Sequence, residues 1–114
     1  KHMRLIKTGG IYRVEVKPGE KVSGHCPSVD VLFQSVAKAA ASDALGVILT
    51  GMGADGTEGI SNLKKAKKVT VIAQDEETCI VYGMPRSVSM AGLADKEIPL
   101  TQIANEIIKN VGVI

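Results

Sequence analysis

Residues 46–59 read Gly46-Val47-Ile48-Leu49-Thr50-Gly51-Met52-Gly53-Ala54-Asp55-Gly56-Thr57-Glu58-Gly59, an apolar run that breaks into glycines around one carboxylate before a helical pattern begins. This transition constrains the fold more than any other part of the chain. Val47, Ile48 and Leu49 suit a buried strand, while Gly51, Gly53 and Gly56 permit backbone conformations and close approaches that a Cβ obstructs. The segment predicts a strand that delivers an acid, Asp55, to the edge of a sheet.

Two chemistries fit such a loop. Gly51-Met52-Gly53-Ala54-Asp55-Gly56 matches G-x-G-x-x-G between a predicted strand and a predicted helix, with acids at Asp75, Glu76 and Glu77 about twenty residues on, as in a dinucleotide fingerprint. Asp55 argues against that use, because its charge would face the pyrophosphate that a helix N-terminus attracts. The second chemistry is hydrolytic: a carboxylate after a strand can orient a histidine and stabilise its imidazolium while a serine attacks an acyl carbon. Taken by itself, an acid before a helix also serves simply as a cap.

The pattern along the chain predicts one α/β unit. Residues 4–7, a Thr8-Gly9-Gly10 turn and residues 11–16 form a hairpin ended by Pro18-Gly19. Ser28 caps a helix whose Val29, Leu32, Phe33, Val36, Ala37 and Ala40 make a stripe facing the sheet. The strand at 46–50, a helix over 57–67 and the strand Val69-Thr70-Val71-Ile72-Ala73 give a βαβ unit with a parallel pair, which puts Asp55 and residues 74–77 on one carboxyl edge. A short helix over 77–82 ending at Gly83, a turn over 87–90 and a helix over 101–111 with Ile103, Ile107, Ile108 and Val111 buried complete the expectation. The fold class is therefore α/β, Rossmann-like and doubly wound, with a mostly parallel sheet, flanking helices and an N-terminal hairpin.

Composition narrows the function classes. With 114 residues, 45% of them hydrophobic, the chain can bury a core, so it is not a disordered tail. An aromatic content of 3%, supplied by Phe33, Tyr12 and Tyr82, makes the core aliphatic and leaves little for stacking on single-stranded nucleic acid. A net charge of +2 implies no polyanionic partner, and the run Lys64, Lys65, Lys67 and Lys68 reads as the solvated end of a helix. Cys26 and Cys79 are isolated thiols without C-x-x-C spacing, adjacent His25 and Cys26 make a poor metal site, and no signal peptide or membrane-length apolar run is visible. These features point to a reduced, cytoplasmic setting without metal or membrane insertion.

Three ordered blocks carry a resemblance. Pro27-Ser28-Val29-Asp30-Val31-Leu32-Phe33-Gln34-Ser35-Val36-Ala37-Lys38, then residues 46–56, then Ile72-Ala73-Gln74-Asp75-Glu76-Glu77-Thr78-Cys79-Ile80-Val81-Tyr82-Gly83-Met84-Pro85-Arg86 resemble the chemotaxis protein-glutamate methylesterase family, the CheB type. The resemblance spans the chain, with Lys1-His2-Met3 similar to the end of an upstream family segment. It implies that residues 1–114 are the C-terminal part of a methylesterase catalytic domain, with no second domain in this chain. The implied activity is hydrolysis of glutamyl methyl esters on chemoreceptors, and deamidation of certain glutamines, by a Ser-His-Asp mechanism without a cofactor.

In that family the acid of the triad matches Asp55, and the serine and histidine motifs would precede Lys1. Met52, flanked by Gly51 and Gly53, matches the cleft, where its N–H would help hold the oxyanion, and Arg86 would meet an acidic receptor surface or pair with a neighbouring carboxylate. The implied partners are methylated chemoreceptor cytoplasmic domains, an N-terminal receiver domain and the missing half of the catalytic domain. The chain departs from the family at Cys26, where a basic residue is common before Pro27, and near Lys67, where a glycine is usual. No G-x-S-x-G elbow surrounds Ser23, Ser28, Ser35, Ser42, Ser61, Ser87 or Ser89, His25 reads as solvated, and His2 matches a histidine outside the triad. The piece alone is therefore expected to be inactive, to expose apolar surface and strand edges, and to self-associate or pair with that half. The alternatives that stay open are a nucleotide-binding Rossmann-like module and a non-catalytic interaction domain.

Overall fold

The Gly9-Gly10 pair is a turn signal that only a left-handed backbone satisfies, and it sets the first element pair. In the computed structural model of the chain, which describes residues 1–39 and 43–112, strands β1 (His2–Thr8) and β2 (Ile11–Lys17) pair antiparallel from His2↔Lys17 to Thr8↔Ile11. Gly9 at φ 58° and Gly10 at φ 81° join them, the positive values at both central residues that match the twist of the flanking strands. Ala40 and Ser42 lie outside the described residues.

The chain divides into two units, Lys1–Asp43 with Asp55–Lys68, and Ala44–Ala54 with Val69–Ile114. In the first, the hairpin is joined by α1 (Val29–Ala39) and α2 (Thr57–Ala66), and α1 packs on both β1 and α2. The described residues of the predicted α1 stripe are only half-buried; the buried residues of this helix are Asp30 and Val31. Ile60 and Leu63 of α2 are buried, as its periodicity requires. Lys67 follows α2 in extended conformation, φ −139° and ψ 164°, with its N–H on the Leu63 carbonyl. The helix thus ends without a left-handed residue, so a glycine is not required at Lys67.

The second unit contains the parallel sheet, ordered β3 (Ala44–Ile48), β4 (Val69–Gln74), β5 (Lys96–Ile98), with α3 (Gly83–Met90) and α4 (Leu100–Val111) packed on β3 and β4. Its buried side chains include Ile48, Val71, Ile72, Ala73, Val88 and Ile103. The α/β class and the parallel β3–β4 pair agree with expectation. Four local features differ. Strand β3 starts and stops two residues early, so Leu49 is exposed rather than part of a buried strand. No helix covers 77–82; that stretch is turn and bend, and α3 begins at Gly83 with Pro85 in its first turn, where a missing N–H costs nothing. Strand β5, three residues long and bearing Lys96 and Glu97, has too short a pattern to be read from sequence. On α4, Ile103 is buried, but Ile107 is only half-buried and Ile108 and Val111 are exposed.

A Cβ on Gly9 or Gly10 meets nothing within 4 Å, so substitutions there act through backbone conformation alone. Gly9→Asn is expected to raise stability by about 0.4–1 kcal/mol, since asparagine tolerates the left-handed region and narrows the unfolded ensemble. Gly10→Val is expected to cost about 1–2 kcal/mol. Urea denaturation of both variants checks the pair.

Candidate active site

Asp55 stands at the start of α2, and 7% of its surface is exposed. Its carboxylate lies against the N-terminus of α1. Oδ1 accepts the Ser28 hydroxyl at 2.8 Å and the Asp30 amide at 3.1 Å, and Oδ2 accepts the Val29 amide at 2.7 Å. Amides at a helix N-terminus lack intrahelical partners and carry partial positive charge, so a carboxylate is well placed there. Ser28 was the expected cap of α1. It occupies the position before the helix, but its hydroxyl donates to Asp55, and the capping acceptor is Asp55 itself.

The arrangement is reciprocal. Asp30, 3% exposed and in the first turn of α1, accepts the Gly56 amide at 3.0 Å and the Gly59 amide at 2.7 Å through Oδ1, at the N-terminus of α2. Its Oδ2 accepts the Ser23 hydroxyl at 3.3 Å. Gly59 permits the close approach: a Cβ there would sit 2.8 Å from Asp30 Oδ1 and 2.9 Å from Phe33 Cβ. Asp30 thus occupies the helix terminus that a pyrophosphate would need, which counts against the dinucleotide use of the glycine motif.

Burial pushes the Asp55 carboxyl up, but the Val29 amide, the Ser28 hydroxyl and the interactions with Asp30 together hold it below the usual aspartate range. The acid is therefore an anion at neutral pH with a fixed orientation. Oδ2 receives one N–H, that of Val29, among the described residues.

His2 is buried and fully engaged: Ser28 N donates to Nδ1 at 3.2 Å, so Nε2 carries the proton and donates to the Glu20 carbonyl at 2.6 Å. This histidine supports the loop before α1. His25 is exposed beside the Val22↔His25 bridge, and Cys26 and Cys79 are free thiols.

The other candidates belong to the second unit. Gly51 donates its N–H to the Val81 carbonyl at 2.9 Å and accepts the Met84 amide at 2.8 Å. Thr50 fixes the same junction, its hydroxyl exchanging bonds with the Val81 carbonyl and amide at 2.9 and 2.8 Å. Behind them Gln74, 1% exposed, accepts the Thr50 amide at 2.8 Å and donates to the Thr78 carbonyl at 2.8 Å. Met52, at the tip, is 79% exposed, and its amide has no acceptor among the described residues. Gly53 follows with φ 88°, and Arg86 is exposed on α3 and paired with no carboxylate among the described residues.

Sequence patterns did not single out Asp30 or Gln74. An acid in the first turn of a helix is ordinary, and a glutamine closing a strand carries no periodicity; only the bonds they make across the chain reveal their roles.

The CheB methylesterase family model matches residues 1–107. This chain belongs to the CheB methylesterase family. It is 51% identical over 107 residues to protein-glutamate methylesterase/protein-glutamine glutaminase 2 of Syntrophomonas wolfei subsp. wolfei, covering 94% of this chain and 31% of that protein. Identity to protein-glutamate methylesterase/protein-glutamine glutaminase 4 of Anaeromyxobacter dehalogenans is 49% over 112 residues, 98% of this chain and 31% of that protein. The crystal structure of the Thermotoga maritima CheB methylesterase catalytic domain superposes with a TM-score of 0.88 at 38% identity, over 95% of this chain and 57% of that one. The chain thus spans about a third of the length of these curated CheB relatives.

Two outcomes test the geometry. The Asp55 carboxyl is more acidic folded than unfolded, so between the two values the unfolded chain binds more protons and stability rises with pH. The contribution is complete above the ordinary value of 3.8 and is lost as pH falls through the lower folded value. The stability difference between wild type and Asp55→Asn, followed by denaturation against pH, is expected to be constant near neutrality and to shrink below 3.8. A Cβ at Gly83 would sit 2.9 Å from Gly53 N and 3.0 Å from the Gly51 and Gly53 carbonyl oxygens, all backbone atoms. Gly83→Ala is expected to lower stability by about 1–3 kcal/mol in thermal melts.

Proposed function

We propose that the 114 residues belong to one domain, the C-terminal part of a methylesterase catalytic domain, and that Asp55 is the acid of its Ser-His-Asp triad. The whole protein then hydrolyses glutamyl methyl esters on chemoreceptor cytoplasmic domains in the cytoplasm, and deamidates glutamine side chains by the same route with ammonia as leaving group. The observation that carries this reading is the state of Asp55, a buried anion whose carboxylate is held by three donors at the N-terminus of α1.

In this mechanism a serine hydroxyl attacks the ester carbonyl, and a histidine takes its proton and returns it to departing methanol. Water then hydrolyses the acyl-serine by the same steps. Asp55 accepts the N–H of that histidine, fixes its tautomer and balances the imidazolium. The donors already on Asp55 hold the carboxylate so that little reorganisation is needed when the charge forms. The exposed Met52, whose amide has no acceptor among the described residues, suits an oxyanion donor, with Gly51 and Gly53 shaping the loop, and the exposed Arg86, paired with no carboxylate among the described residues, suits an acidic receptor surface.

The serine and histidine motifs are carried by the remainder of the domain, so this chain alone is inactive. Exposed Ile11, Tyr12, Val14 and Val16 on β2, together with that strand's open edge, suit pairing with the remainder or self-association. A receiver domain elsewhere in the whole protein completes the proposed partners.

Methyl release from methylated chemoreceptor tests the reading. The complete protein is expected to be active, Asp55→Asn to lose about 10³–10⁴-fold in kcat, and the 114-residue chain to be inert. An unchanged rate in Asp55→Asn removes the triad assignment.

A further inference from the structure

We infer that Asp30 is a positioning residue for the catalytic acid, acting through Asp55 rather than on substrate; the inference rests on the triad reading of Asp55 proposed above. Asp30 is the buried group that joins both sides of the Asp55 loop. Its own amide donates to Asp55 Oδ1, and its side chain accepts the amides of Gly56, the residue after Asp55, and of Gly59 one turn into α2. The backbone that carries Asp55 and one of the donors that orients its carboxylate are therefore tied to one residue.

The linkage has little slack. Gly59 brings α2 close enough that a Cβ would meet both Asp30 Oδ1 and Asp30 Cα, at 2.8 and 3.1 Å. Asp30 Oδ2 is occupied by Ser23, so the carboxylate is held on both oxygens. Without the Asp30 side chain, the Gly56 and Gly59 amides lose a buried acceptor, and the start of α2 is free to shift relative to the start of α1. Asp55 then loses its registration with Val29 and Asp30, and with it the orientation of its carboxylate.

The complete protein tests this with methyl release measured for Asp30→Ala, Asp30→Asn, Asp55→Asn and the double variant Asp30→Ala/Asp55→Asn. Asp30→Ala is expected to lower kcat by up to about a hundredfold with KM little changed, the scale of a misplaced catalytic group. Asp30→Asn should retain most of the rate, because asparagine offers the same Oδ1 acceptor to Gly56 and Gly59 and caps helices as well as aspartate does. In the Asp55→Asn background, Asp30→Ala should cost almost nothing further, since the residue it positions is already disabled.

An equal loss in both backgrounds overturns the inference, as does an unchanged kcat in Asp30→Ala alongside an inactive Asp55→Asn. An unchanged rate in Asp55→Asn is a different failure: it removes the triad reading itself, and this inference with it. Should Asp30→Ala not accumulate as folded protein by thermal melt, Asp30→Leu, which also removes the acceptor but fills the buried space, is read in the same cycle by the same criteria.

Discussion

The exchange of carboxylates between two helix N-termini organises the first unit. Asp55, at the start of α2, caps α1, and Asp30, in the first turn of α1, caps α2. Each acid satisfies amides that a helix leaves without partners and places negative charge where the macrodipole favours it. Because each residue belongs to one helix and serves the other, neither terminus can move independently. Ser28 and His2 extend the arrangement backward, the hydroxyl bound to Asp55 and the amide bound to a histidine whose second nitrogen is held by Glu20.

The bonds by which Asp55 caps α1 also fix the orientation of its own carboxylate. The second unit shows a parallel economy at Thr50, whose hydroxyl stands in for a backbone group against Val81 while buried Gln74 holds its amide. Both loops are irregular backbone fixed by side chains, as expected where regular ladder bonds stop.

Much of the fold was legible because it rests on local periodicity. The Gly9-Gly10 hairpin, the helix that follows Asp55, the apolar run of β4 and the parallel β3–β4 pairing all follow from spacing of residue types. The misreadings occur where neighbours distant in sequence override it. Thr78 resembles the middle of a helical turn, yet its hydroxyl is committed to Asp75 and to the Leu100 amide, and residues 77–82 stay non-helical. Ile108 and Val111 repeat the spacing of Ile103 but are exposed, since periodicity predicts a face and not how far along the helix a covering layer extends.

Sequence by itself determined the α/β class, the glycine loop that frees the backbone around Asp55, and, through three ordered blocks, membership of the methylesterase family. It could name Asp55 as an acid but not describe its state. That Asp55 is buried, kept ionised and aimed was decided by Ser28, Val29 and Asp30, which lie 27, 26 and 25 residues away in the chain. Hydrogen-bond direction and burial are properties of groups brought together by folding, and no pattern in the order of residues encodes which carboxylate will meet which helix end.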